Sequence, residues 1–287
     1  MVRGMACGSL QRMAWQLRMN LLELVGVGKA GHLGGSSSLA EIMSVLYFHT
    51  MNVDARDRHA VDRDRFVMSK GHTVLIQYAA LAELGFFPKD ALGKVKSLGA
   101  LLQGHPDMAT PGIEAVTGSL GQGLSIGLGM ALALRLDGKR SRVHVVMGDG
   151  ELAEGQLWEA AMAAAAFHLD NLVGIVDRNR VQASGPTAQV FDIPNIGDRW
   201  RAFGWNVLDI DGHRVPSIVE ALNEAKAHRG GPSVIIANTV KGKGFSFAEN
   251  NAAFHNVVLS QELYEQGRRE LEIQWAACGA GPEMESP

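Results

Sequence analysis

The run Gly148-Asp-Gly150 stands where an apolar stretch, Val143 to Met147, gives way to a helical pattern. Two glycines let the backbone turn tightly and approach a ligand, and the helix N-terminus beyond them favours an anionic phosphate. The plainest reading is a strand-to-helix turn. A dinucleotide site is a second reading, because Gly148, Gly150 and Ala153 satisfy the G-x-G-x-x-A form directly after a strand. Asp149 speaks against it, since a carboxylate inside the turn repels a bare pyrophosphate. A divalent cation between them turns that repulsion into a bridge, and magnesium takes one or two protein oxygens, substrate phosphates and water. Asn179 follows thirty positions after Asp149, just past a strand-like run, Leu172 to Asp177. If the two strands are parallel neighbours, their carboxyl ends bring Asp149 and Asn179 to one crevice, where the amide oxygen completes the metal site.

Four of the ten histidines, His32, His72, His105 and His255, sit in glycine-flanked loops instead of on apolar helix faces. A neutral imidazole can donate, accept or shuttle a proton near physiological pH. Taken singly, each is more simply read as a loop histidine bonding backbone. His144, inside a strand, and His168, at a helix end, read as structural. Lys241-Gly-Lys-Gly244 lacks the spacing of a P-loop and implies no nucleotide. Cys7 and Cys278 show neither zinc nor disulfide spacing.

The elements that must position these groups alternate. Leu10, Met13, Leu17, Leu21, Leu22 and Val25 recur at helical spacing and predict a helix ending near Gly26 and Gly28. Ser38-Leu-Ala-Glu41 has the form of a capping box and predicts a second helix start before Ile42 to Phe48. A strand is expected at Arg65 to Ser69, and helices at Thr73 to Leu84, Leu124 to Leu136 and Gln156 to His168. Strands Trp205 to Asp209 and Ser233 to Ala237 flank a helix from Val215 to Ala227, and Gln261 to Trp275 closes the chain. The series predicts an α/β fold, a doubly wound parallel sheet with helices on both faces and its ligand crevice beyond the carboxyl ends of the strands. Residues 1–278 read as one domain and 279–287 as a disordered tail.

The formal net charge of −3 argues against nucleic acid or a polybasic membrane surface as partner. With 46% hydrophobic and 20% charged residues, the chain can bury a sizeable core. No apolar run reaches the roughly 20 residues of a membrane helix, and no secretory signal pattern opens the sequence, so a cytoplasmic location is expected. Glycine is the outlier, 34 residues in clusters, which points to loops that approach a ligand.

Gly-Asp-Gly followed by Asn179 resembles the motif by which thiamine diphosphate enzymes hold magnesium and the cofactor's diphosphate. The remaining motifs narrow the likeness to the transketolase family, and within it to the N-terminal subunit of its split, two-chain members. Lys29-Ala-Gly-His32-Leu-Gly-Gly35, Ser69-Lys-Gly-His72 and Gly104-His105-Pro-Asp107 resemble its three histidine loops. Val116-Thr-Gly-Ser-Leu-Gly-Gln-Gly123, Gly148-Asp-Gly-Glu-Leu-Ala-Glu154-Gly and Val240-Lys-Gly-Lys-Gly244 with Phe254-His255 follow in the family's order. The resemblance implies that Asp149, Asn179 and the Val181 carbonyl ligate magnesium. It places His72, Gly118, Ser119, Leu120, Gly148, Gly150, Glu151, Glu154, Lys241 and His255 at the cofactor, with Glu154 where two chains meet. His32, His72, His105 and His255 would surround the reacting carbon. Leu33, Arg180 and Asn256 depart from the family's commoner residues.

Neither the activating glutamate nor the phosphate-binding arginines of the family's second domain can be located. The resemblance therefore implies as partner a second, pyrimidine-binding chain, in an assembly of two chains of each kind. The implied reaction transfers a two-carbon ketol unit from a ketose phosphate to an aldose. A deoxyxylulose-phosphate synthase-like or other sugar-specific ketolase chain, and a non-catalytic chain that keeps the fold, are the alternatives.

Overall fold

The computed structural model describes residues 4–279, so the tail expected at 279–287 lies outside them except for Gly279, the last residue of the closing helix. The chain runs through α1 (Cys7–Val25), β1 (Ala30–Gly31), α2 (Leu33–Ser37), α3 (Ala40–Val45), β2 (Arg65–Met68) and α4 (Val74–Leu84). It continues through α5 (Gln122–Leu136), β3 (Val143–Gly148), α6 (Gly155–Ala166), β4 (Leu172–Arg178), α7 (Thr187–Val190) and α8 (Ile196–Ala202). The last elements are β5 (Asn206–Asp211), α9 (Val215–Ala227), β6 (Ser233–Asn238), β7 (Val257–Val258) and α10 (Gln261–Gly279).

Five strands form one parallel sheet in the order β2-β3-β4-β6-β5. Strand side chains alternate between two apolar layers, as a sheet covered on both faces requires. Val146, Val173, Ile175 and Ile235 pack under α1, α3, α4 and α9, while Val145, Met147, Val176, Val234 and Ile236 pack under α5, α6 and α8. The expected doubly wound parallel sheet is therefore observed. β5 is half-exposed and carries Asp209 and Asp211, charges suited to an unpaired edge.

The stripe read on α1 is buried: Leu10, Leu17 and Leu21 are fully enclosed, and Gly26 ends the helix with φ 62°. The capping box at Ser38 is not formed. α2 runs on through helical backbone at Ser38 and Leu39 into α3, so no free helix N-terminus needs a cap. Ser38 Oγ instead donates to Asp177 at 2.7 Å and lies 3.0 Å from the Gly35 carbonyl. Glu41 receives the buried Arg18 guanidinium from α1 at 2.6 and 2.7 Å. A buried cation needs a counter-charge more than a solvated amide needs a cap.

A two-residue ribbon that periodicity could not announce pairs β1 with β7 antiparallel, Ala30 opposite Val258 and Gly31 opposite Val257. It ties the loop of His32 to the loop of His255, more than two hundred residues apart in sequence.

Candidate active site

β3 and β4 are neighbours with Gly148 opposite Asp177, so the turns after both strands open into one crevice. The Asp149 N–H donates to the Asp177 carbonyl at 3.2 Å. Its carboxylate accepts the Gly150 N–H at 2.8 Å and the Arg180 N–H at 2.6 Å. Arg180 reaches that amide position through left-handed backbone, φ 63°, and turns its guanidinium away to Asn238 at 2.8 Å. The Asn179 side chain donates to Asp177 at 2.9 Å and accepts the Val181 N–H at 3.1 Å. Burial, and secondarily the nearby Asp177 carboxylate, push the Asp149 pKa up. A buried carboxylate with no cation of its own is a group that a divalent cation relieves.

Beneath them lies a hub that sequence reasoning missed. Asp177, fully buried, accepts the Ser38 and Thr239 hydroxyls, the Asn179 amide and the Lys70 ammonium. Burial alone would raise its pKa; the Lys70 ammonium and these donors more than offset it and hold the group below the usual carboxylate range. Lys70 and Asp177 thus join the ends of β2, β4 and β6 to the α2–α3 corner. Glu151 does similar work on the other side, accepting the N–H groups of Gly148 at 3.0 Å and Gly121 at 2.8 Å and the Ser69 hydroxyl. Burial pushes its pKa up. Gly123 must be glycine, because a Cβ there would lie 2.6 Å from Ser69 Cα.

The cavity so framed has a volume of about 300 Å³. Asp149, Asn179 and Val181 share its wall with backbone at Gly35, Gly118, Gly148 and Gly150 and with side chains of His32, His72, Lys241 and His255. Leu120 and Glu151 line it as well, with Lys70, Gln182 and Ala183, none of which the sequence singled out. Ser119 and Glu154 do not line it; both are exposed, Glu154 at the rim against Gly121. His105 stands just outside, over Gly118, where an added Cβ would come within 2.9 Å of its ring.

The four imidazoles cluster. Ring centroids of His32 lie 5.0, 5.4 and 6.1 Å from those of His72, His255 and His105, and His72 lies 5.0 Å from His255. Burial, then neighbouring lysines, depress His32 and His255 to about 4, and burial with Lys70 depresses His72 to about 2. Burial and Lys96 also lower His105. All four rings are therefore neutral at pH 7, each with one donor and one acceptor nitrogen. Lys241, brought down to about 8 by burial and by Lys70, donates to the carbonyls of Val181 at 2.8 Å and Gln182 at 3.3 Å and contacts His255 Nδ1 at 3.0 Å. That contact assigns Nδ1 as the acceptor and leaves the proton on Nε2.

The family model described as "Transketolase, thiamine diphosphate binding domain" matches residues 9–277. The chain belongs to the transketolase family. Among relatives of this transketolase-family chain, the 6-deoxy-6-sulfo-D-fructose transketolase subunit of Clostridium sp. (strain MSTE9) is 44% identical over 268 residues, 93% of this chain and 98% of that protein. The apulose-4-phosphate transketolase subunit of Phocaeicola vulgatus is 43% identical, over 88% of this chain and 90% of that one. Human transketolase is 39% identical over 93% of this chain but only 42% of its own length. Among solved structures, transketolase from Campylobacter jejuni superposes with a TM-score of 0.86 at 31% identity, over 93% of this chain and 43% of that one. Transketolase from Leishmania mexicana gives 0.84 at 30%, over 96% and 46%. The chain spans under half the length of these solved transketolases and nearly all of the two bacterial subunits.

Proposed function

We propose that the chain is the thiamine diphosphate-binding subunit of a two-chain transketolase, transferring a two-carbon ketol unit from a ketose phosphate to an aldose acceptor. The observation that carries this reading is the convergence of Asp149, Asn179 and Val181 on one cavity under a cluster of neutral imidazoles. Carboxylate, amide and carbonyl are hard oxygen donors of the kind magnesium takes, diphosphate and water completing its octahedron. Gly118, Gly148 and Gly150 line the same cavity, and at Gly118 and Gly150 the place of a Cβ is taken by the His105 ring and the Gln182 side chain.

In this reading Asp149, Asn179 and Val181 hold the metal, and His72, Gly150, Lys241 and His255 meet the diphosphate. Gly118, Ser119 and Leu120 lie toward the rings, with Gly148 and Glu151 shaping the turn beneath. When bound, thiamine diphosphate supplies the electron sink on which a carbon–carbon bond beside a ketone is broken and remade. The chain's own part is orientation and proton movement. His255, its Nδ1 engaged by Lys241, presents Nε2–H to a substrate oxygen, and His32 keeps Nδ1 without a partner. Four neutral rings within one cluster can hold the sugar's hydroxyls and pass protons between them without adding charge. Glu154 is exposed at the rim, and in this reading it meets the pyrimidine-binding subunit in a cytoplasmic assembly of two chains of each kind. No helix among the described residues is long and apolar enough to cross a membrane. A sugar-specific member is favoured over a deoxyxylulose-phosphate synthase-like one by the two subunits that match nearly end to end, one named for a sulfosugar and one for apulose 4-phosphate.

Ketol transfer by the chain mixed with its partner subunit, thiamine diphosphate and magnesium tests the reading. Chromatography should show an aldose acceptor lengthened by two carbons only when both chains are present. No product from any ketose phosphate and aldose pair would overturn it.

A further inference from the structure

Lys241, fully buried, reaches the cavity from residues 239–244, the loop that follows β6. Three anchors hold that loop. The Lys243 carbonyl accepts Arg18 Nε at 2.9 Å and the Ser37 hydroxyl, and the Gly242 N–H donates to the Gly34 carbonyl at 2.9 Å. Directly before Lys241, the Val240 N–H donates to His213 Nε2 at 2.8 Å. On the other side of the same ring, Nδ1 lies 3.0 Å from Glu41 Oε2, the buried carboxylate that also binds Arg18 at 2.7 Å. A backbone N–H only donates, so Nε2 is the bare nitrogen and the proton sits on Nδ1, facing Glu41. Donation from Nδ1 to a carboxylate also makes Nε2 a stronger acceptor, because bonds in a chain polarise one another. His213 itself does not line the cavity. It stands on the turn after the edge strand β5, where the Asp211 carboxylate accepts its N–H at 2.8 Å and the Gly212 N–H donates to the Asn238 carbonyl at 2.8 Å.

We infer that His213 is a positioning residue for the cofactor cavity: it ties Glu41 of α3 to the residue before Lys241 and so fixes where the Lys241 ammonium lies. In the ketol-transfer reading, on which this rests, Lys241 meets the diphosphate. Its ammonium touches the Val181 and Gln182 carbonyls and His255 Nδ1, so a displaced backbone at Val240 disturbs all three contacts and the His255 tautomer with them. The stem has little room to compensate, since it lies on Gly34, where an added Cβ would come within 3.0 Å of Lys241 Cγ. With no acceptor at the Nε2 position, the anchors at Gly242 and Lys243 remain and the Val240 end of the loop is released.

Two variants separate this role from the support that His213 gives to Glu41. His213→Asn keeps an amide N–H near the place of Nδ1, within reach of Glu41, and has nothing at the place of Nε2. His213→Gln carries its amide one carbon further, to the place of Nε2, and accepts the Val240 N–H. Each is made alone and with Lys241→Met, and thiamine diphosphate is titrated with magnesium into the chain assembled with its partner subunit. His213→Asn should weaken binding about tenfold, as an unmet backbone donor implies, and His213→Gln should stay within about threefold. In the Lys241→Met background His213→Asn should add less than about twofold, because the two residues act through one contact. A role confined to Glu41 gives the opposite order. His213→Gln as weak as His213→Asn or weaker, binding unchanged in both, or an undiminished effect of His213→Asn in Lys241→Met would overturn the inference. A second readout needs no cofactor: nitrogen NMR of the imidazoles in the cofactor-free chain at pH 7. His255 should carry its proton on Nε2, and His213→Asn should move its signals toward a mixture of tautomers; unchanged His255 signals contradict the inference. If the unsubstituted assembly binds no thiamine diphosphate, the cofactor reading fails, and the His255 signals still decide the role of His213.

Discussion

His32, His72, His144 and His255 are held neutral by burial, and that makes the folded chain sensitive to acid. In the unfolded chain these rings take up protons as pH falls below 6.5, whereas folded His32, His144 and His255 resist until about 4. Between these limits the unfolded state binds more protons, so stability is greatest above 6.5 and declines as pH falls toward 4. Asp149 and Glu151, whose pKa values are raised, act in the opposite sense, but four rings outnumber two carboxyls. Urea midpoints of the cofactor-free chain should therefore be lower at pH 5 than at pH 7.5; equal midpoints would contradict this. The same residue scale shows what could be read from sequence. Asp149, Asn179 and the glycine-flanked histidines carry a spacing that announces them, and all reach the cavity or its edge. Lys70 and Asp177 have no such signature. Their importance comes from a buried ion pair between distant strands, which spacing along the chain does not encode.

At the scale of elements, the periodic segments are legible because one face of each is buried on the sheet, and that burial imposes a repeat of two or 3.6. The corner at Ser38 and Glu41 defeats such a reading because its motif is local while the partner that claims Glu41 comes from another helix. Arg18 of α1 and His213 both bind that carboxylate, which holds the Glu41 pKa at about 2 against a burial effect that would raise it. The clamp's contribution is present above 4.5 and lost as pH falls toward 2. Glu41→Gln leaves the fully buried Arg18 without its counter-charge, so the folded chain should lose about 3–5 kcal/mol in chemical denaturation. A loss under about 1 kcal/mol would mean the guanidinium finds water or another partner. The β1–β7 ribbon shows the limit of periodicity from the other side. Two paired residues are too few to form a pattern, yet they bring His32 and His255 within 5.4 Å.

At the scale of the whole molecule, the sheet puts His72, Asp149, Asn179 and Lys241 just past the carboxyl ends of its strands, and the chain matches 98% and 90% of two bacterial transketolase subunits but 42% of the human enzyme. We propose that Asp149, Asn179 and Val181 make this edge a metal-dependent diphosphate site completed by a second chain. Calorimetric titration of thiamine diphosphate, with and without magnesium, into the chain mixed with its partner subunit tests that claim most directly. Binding should require magnesium, weaken greatly without the partner, and be lost in Asp149→Ala while Arg180→Ala, whose side chain points away to Asn238, binds as before. Binding that ignores magnesium and survives Asp149→Ala would contradict the account.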